Sequence, residues 1–265
     1  MIMALAGVSA ALAQPAQETY SASVSEQRLQ QIAALPDWSG LWRVNGSSAL
    51  ISETERPIFR RGNSNVAPYR PEWQTRYEEM AIRAEDQGNM QSEHPVVDSH
   101  TVYCAAGVPR LVATPFDYMF VVQPEMTLIN VSGEVRIVYT DGRSFPNDDE
   151  IWPRFWAWSI GHWEDDTLVV ETRGMKSGLW LDTTPFTLSE QASMIERIRR
   201  TSPDVIENQV TISDPIAFTE PWSFTRTYGR VDSDLWMIEK ELCGGPEDRN
   251  PIVNGRVTVI LQGQE

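Results

Sequence analysis

The chain has 265 residues, a formal net charge of −15 and three histidines. So acidic a surface repels nucleic acid and anionic membrane, which need clustered positive charge. No internal run approaches the ~20 apolar residues of a transmembrane helix, so no membrane span is expected.

The opening "MIMALAGVSAALAQPAQ" is an apolar run with a small-x-small ending at Ala11-Leu12-Ala13. It reads as an export signal cleaved after Ala13, which makes the mature protein periplasmic or secreted in a bacterium. The rest of the chain, residues 14–265, suits one domain: an N-terminal segment 14–36 with a short helix, then a single β-barrel domain over 37–265. In "SEQRLQQIAAL", Leu29, Ile32 and Leu35 recur near helical spacing after a Ser25 cap, and Pro36 ends the helix. "DWSGLWRV" reads as a first strand with Trp38, Leu41 and Trp42 buried. "RPEWQTRYEEMAIRAEDQG" reads as a second helix with Pro71 in its first turn and Trp73 and Tyr77 on its inner stripe.

From residue 115 onward strands alternate with turn signals every eight to twelve residues. They are expected at 115–123, 126–131, 134–140, 156–164, 166–172, 191–200, 204–212, 222–229, 234–242 and 255–262. Helices able to cross over a parallel sheet are missing, so the fold class is all-β and mainly antiparallel. A single lipocalin-like β-barrel of about 8–10 strands with one or two peripheral helices is expected. Trp222, Phe224, Arg226 and Tyr228 share one face of their strand, as do Met194, Glu196 and Ile198. Charges among apolar residues on these faces predict a partly polar interior, and such a barrel is wide enough for one small ligand.

Cys104 and Cys243 are the only cysteines. In an exported protein they are most simply a disulfide, worth roughly 4–5 kcal/mol for so long a loop. The histidines, at 94, 100 and 162, lack metal-ligand spacing, and no nucleotide-binding or nucleophile-elbow motif is present, so neither metal nor cofactor is expected.

The segment 152–164, "WPRFWAWSIGHWE", holds four of the ten tryptophans. Period two puts Trp156, Trp158, Ile160, His162 and Glu164 on one strand face. Pointing inward, that face would offer an aromatic wall ending in an imidazole and a carboxylate, a pocket for a flat ligand with His162 as base. Pointing outward, it leaves His162 with a structural hydrogen bond. Arg110 follows a Gly/Pro turn, and "VYTDGRSFPNDD" supplies Tyr139, Asp141 and Arg143. The two arginines are candidate grips for a carboxylate or phenolate, or alternatively loop staples. Glu196-Arg197 reads either as a buried catalytic acid with its partner or as a structural salt bridge.

Taken in order, "PDWSGLW", "CAAGVPR", "VRIVYTDGRSFPND", "SIGHWEDDTLVVET", "ERIRR" with "TISDPIAFTEPW", and "EKELC" resemble a large family of exported bacterial proteins, mostly of unknown function. The resemblance spans roughly residues 36–245 and implies a lipocalin-like barrel. Some similar proteins are lyases for lignin-derived phenylcoumaran dimers, removing one carbon as carbon dioxide or formaldehyde to give a stilbene. It therefore implies a cofactor-independent carbon–carbon lyase, with a periplasmic carrier of aromatic molecules as the alternative. In the lyase reading His162 is base or proton shuttle, and Arg110 or Arg143 grips the anion. Tyr139 donates to the phenolate, Asp141 orients an arginine, and Glu196 is a further acid. Trp156, Trp158 and Glu164 complete the substrate wall. The expected partner is an aromatic small molecule, and a homodimer is left open. The chain departs from the pattern at Ser144 and Leu188, where the family has histidine, and at Asp165, where it has glycine.

Overall fold

The computed structural model describes residues 22–45, 67–86, 107–110, 112, 117–131, 133–176, 188–231, 252–253 and 256–257. The expected export signal, His94, His100, both cysteines and the strand expected at 234–242 lie outside the described residues.

Nine strands form a closed barrel in sequence order. They are β1 (Leu41–Val44), β2 (Asp117–Val122), β3 (Met126–Val131), β4 (Glu134–Tyr139), β5 (Trp158–Glu164), β6 (Thr167–Arg173), β7 (Ser193–Ser202), β8 (Val205–Ser213) and β9 (Trp222–Val231). Closure comes from β1, which pairs antiparallel with both β2 and β9 and so leaves no free edge. This is the expected all-β, lipocalin-like architecture. A separate two-stranded ribbon, β10 (Ile252–Val253) with β11 (Arg256–Val257), is all that is described of the strand expected at 255–262.

Two longer helices, α1 (Ala22–Ala33) and α2 (Pro71–Asp86), lie at the periphery, and α3 (Gly107–Arg110) is a single turn. α1 begins before Ser25, so that serine lies within the helix rather than capping it. Arg28 on α1 ties the helix to the barrel through Glu125 (2.8 Å) and the Asp141 carbonyl. α2 buries Tyr77 in an aromatic stack with Tyr69, which also meets Phe218 edge-on. No described helix is long and apolar enough to cross a membrane.

Alternation sets the interior. Trp42 and Val44, Tyr118 and Phe120, Ile129 and Val131, Leu168 and Val170, Met194 and Ile198, and Ile206, Val210 and Ile212 all bury inward-facing side chains. On β9 Arg226 and Tyr228 are buried, with Trp222 and Phe224 half-buried on the same face. Trp38 lies just before β1 and meets Phe120 and Trp163 edge-on, closing the end that carries the β5–β6 and β7–β8 turns. Asp214, buried after β8, accepts from the Ser189 amide and hydroxyl, both at 2.7 Å, and from the Ile216 and Ala217 amides. The serine of "LSE" and the "SDPIA" segment thus form one structural lock.

Among the described strands the single parallel pair is β4 with β5, in register only at Tyr139 and Ile160. A parallel neighbour needs a crossover. Here it is the 140–157 connection, which contains a short 3-10 helix at Asp148–Glu150. With one pair of residues in register, β4 and β5 separate toward Glu134 and Trp158. The crossover and this separation place the candidate site.

Candidate functional site

Where β4 and β5 part, an outward-facing cleft of about 650 Å³ opens, within the ~300–1,000 Å³ typical of small-molecule sites. Val135, Ile137 and Tyr139 line it from β4, Trp156, Trp158 and Ile160 from β5 and its approach, and Arg143, Phe145 and Arg154 from the crossover. Val135, Ile137 and Trp156 are exposed apolar residues, so the cleft presents apolar surface to solvent.

The crossover is held firmly. Asp141 accepts the Arg143 amide (3.1 Å), and Gly142 takes φ +84° in the turn, a conformation glycine adopts without strain. Arg143 Nε reaches both Asp141 oxygens, at 2.9 and 2.8 Å, and its Nη2 also donates to that carboxylate. The guanidinium lies 3.8 Å over the Tyr139 ring. Hydrogen bonding from Arg143 holds the Asp141 carboxyl below the usual range, against the opposing effect of partial burial.

Further along, Arg154 donates its amide to the Gly174 carbonyl (3.0 Å), and its own carbonyl accepts from Ala157 and Lys176. Its guanidinium lies 3.8 Å over Trp158, whose Nε1 donates to the Trp152 carbonyl. Ala157, buried at φ +51°, turns the chain into β5.

Tyr139, Arg143, Trp156 and Trp158 therefore come together in one cleft, with Asp141 behind Arg143. Ser144 lines the same cleft. Leu188 is buried core.

The expectation that the Trp158–Glu164 face lines the interior is corrected. Ser159 and Gly161 are the buried positions of β5, while the His162 side chain is 65 % exposed on the outer wall. The reason is steric. A Cβ on Gly161 would stand 2.9 Å from the Val138 side chain and from the Val169 carbonyl oxygen, so this close-packed face accepts only small residues. His162 lies two residues past Ile160 and lines no part of the cleft. Its Nε2 meets Glu164 Oε1 at 3.1 Å, and Glu164 pairs with Arg197 at 2.8 Å. Arg197 first, and His162 second, hold the Glu164 carboxyl below its ordinary range. Glu164 thus belongs to a surface network and not to a substrate wall.

Glu196 is fully buried, but Arg197 is not its partner, because successive strand residues face opposite ways. Its partner is Arg136 from β4, at 2.5 Å, with Asn208 Nδ2 donating to the other carboxylate oxygen at 2.9 Å. Arg136 also donates to Ser159 Oγ (3.1 Å) and Thr172 Oγ1 (2.7 Å). This network spans β4 to β8 inside the barrel and, at Arg136–Ser159, ties β4 to β5 where their backbones have parted. The polar interior expected from sequence is present, and these bonds link its members, although Asn208 Oδ1 is buried without a partner among the described residues. Nearby, Tyr228 donates to the Val112 carbonyl at 3.4 Å, and burial pushes its phenol pKa far up, so it stays protonated.

Arg110 ends α3, the one-turn helix fixed by Val108, whose amide donates to the Phe155 carbonyl; the Arg110 side chain lies outside the described residues. Sequence reasoning missed Arg154 and Phe145. Arg154 had a signal, since it falls within the tryptophan-rich segment.

Scans of protein-family models, of curated proteins and of solved structures returned no match.

Proposed function

We propose that this protein takes a flat aromatic small molecule in the β4–β5 cleft. The observation that carries this reading is the cleft's composition: Tyr139, Phe145, Trp156 and Trp158 around about 650 Å³, with two guanidinium groups at its wall. Aromatic rings supply stacking surface at little entropic cost, and the cations favour an electron-rich or anionic ligand. As an exported protein it would meet such molecules in the periplasm or outside the cell.

A second reading adds chemistry to the same cleft. The "TDGRSFPND" motif, one of those that carry the resemblance to phenylcoumaran lyases, lines the cleft together with Trp156 and Trp158, which are additions to that pattern. The reaction class needs no cofactor. The bond to the one-carbon group breaks, its electron pair forms the stilbene double bond, and the ring carbon–oxygen bond opens to a phenolate. A carboxylate leaves as carbon dioxide, and the phenolate takes a proton from water. An alcohol leaves as formaldehyde by giving up its hydroxyl proton, which balances the one the phenolate takes up. Tyr139 donates to the departing phenolate in this reading, and guanidinium charge stabilises it. The surface position of His162 lends no support to a role as base.

One incubation tests both readings. Mature protein is mixed, without cofactor, with phenylcoumaran dimers bearing either a side-chain acid or an alcohol. Stilbene absorbance with a stoichiometric one-carbon product supports the lyase. Saturable tryptophan quenching without product supports the carrier. Absence of both signals removes the cleft from consideration as a site for these molecules.

A further inference from the structure

The two arginines of the cleft differ in one respect that bears on its ligand. Arg143 is chelated by Asp141 through Nε and Nη2, so its charge is already neutralised by the protein. Arg154 makes no ion pair among the described residues. Among the described residues its one side-chain hydrogen bond runs from Nη2 to the Ala157 carbonyl at 3.3 Å, and its Nε is buried without an acceptor. The guanidinium instead rests on indole rings, 3.8 Å from the centroid of Trp158 and 5.6 Å from that of Trp152.

A half-buried cation with an unused buried donor carries a cost that a bound anion offsets. Stacking on Trp158 fixes the plane of the fork, and the backbone bonds at Gly174 and Lys176 fix its base, so the group is oriented before any ligand arrives. In a chain of net charge −15, leaving such a group without a carboxylate partner is notable. Planar, charge-assisted pairing with a carboxylate is what guanidinium geometry favours.

We infer that Arg154 is the specificity-determining residue of the cleft and that the ligand class is an aromatic carboxylate, its ring against Trp156 and its carboxylate on Arg154. This rests on the aromatic-cleft reading and narrows it. Arg143, one of the two arginines that sequence alone singles out, is a structural staple of the crossover, and the anion is read eleven residues further on.

The test uses two probes of one shape, 2-naphthoate and 2-naphthamide, titrated calorimetrically into the mature protein and into Arg154→Gln, Arg154→Lys and Trp156→Ala. Wild type should prefer the carboxylate by about tenfold or more, the range of a charge-assisted hydrogen bond. Arg154→Gln should bring the two affinities together by weakening the carboxylate alone. Arg154→Lys should keep part of the preference, and the wild-type preference should shrink as salt rises. Trp156→Ala should weaken both probes equally.

Equal affinities in wild type, with both weakened by Trp156→Ala, would overturn the carboxylate assignment and leave the cleft standing. A preference that survives in a folded Arg154→Gln protein would also overturn it. Binding of neither probe, or binding indifferent to Trp156, would overturn the cleft reading together with the inference. If Arg154→Gln does not fold, the lysine variant and the salt dependence decide. A preference untouched by both rejects Arg154 as its source.

Discussion

Arg136 on β4 and Glu196 on β7 form a 2.5 Å ion pair inside the barrel, with side chains only 2 % and 1 % exposed. Pairs buried this deeply cost desolvation that their attraction only partly repays, so their worth shows when one partner is removed. Glu196→Ala leaves a charged guanidinium in the interior and frees Asn208 Nδ2, and should destabilise by about 3–5 kcal/mol. Replacing both partners, as Arg136→Met with Glu196→Leu, should cost much less than the sum of the single changes. Urea unfolding of the four proteins measures the coupling. Additive single effects would show that the two groups do not act as a unit.

The Asp141–Arg143 clamp should show itself in acid. The folded-state pKa of Asp141 lies below its ordinary 3.8. Its stabilisation is therefore complete above the unfolded pKa and is lost as pH falls through the depressed folded value. The melting temperature of Asp141→Asn should lie below that of wild type at pH 7, and the gap should narrow as pH falls below about 4. A gap that is constant across this range would mean that the carboxylate charge contributes nothing to the clamp.

Much of the barrel was legible because period-two alternation survives on most strands. Met194, Glu196 and Ile198 share an inner face, as do Trp222 through Tyr228, just as spacing implies. β5 is the exception, and its phase was misread for a physical reason. Its outer face carries Trp158 and Ile160 because the crossover covers that part of the wall, whereas its inner face carries Ser159 and Gly161 because Arg136, Val138 and Leu168 crowd it. Hydrophobicity alone then points the wrong way. The pairing of Glu196 was not legible either, since its partner lies 60 residues away on a strand that reaches it only after closure.

Gly161 and His162, adjacent but opposite in facing, give a direct check on that phase. Gly161→Ala pushes a methyl against the Val169 backbone oxygen and should cost about 1–3 kcal/mol, as overpacking does. His162→Ala removes an exposed ring and should change stability by no more than about 0.5 kcal/mol. It should also leave aromatic binding at the cleft untouched, because His162 lines none of it. Thermal melts together with one fluorescence titration settle both. Loss of binding in His162→Ala would return that residue to the site.

The β5–β6 turn holds a residue whose identity backbone geometry explains. Asp165 adopts φ +52°, in the left-handed region. Aspartate tolerates that region better than most residues because its short polar side chain can bond locally, whereas a β-branched side chain is strained there by roughly 1–2 kcal/mol. The tight hairpin between Glu164 and Thr167 fixes this conformation, since these two residues are in register across it. Asp165→Gly should accordingly be close to neutral, within about 1 kcal/mol of wild type, as relief of strain and greater freedom of the unfolded chain oppose each other. Asp165→Val should be less stable by about the full left-handed penalty. The ordering glycine and aspartate above valine, read from denaturation midpoints, is the expected outcome. A valine variant as stable as wild type would mean that the turn relaxes out of the left-handed conformation.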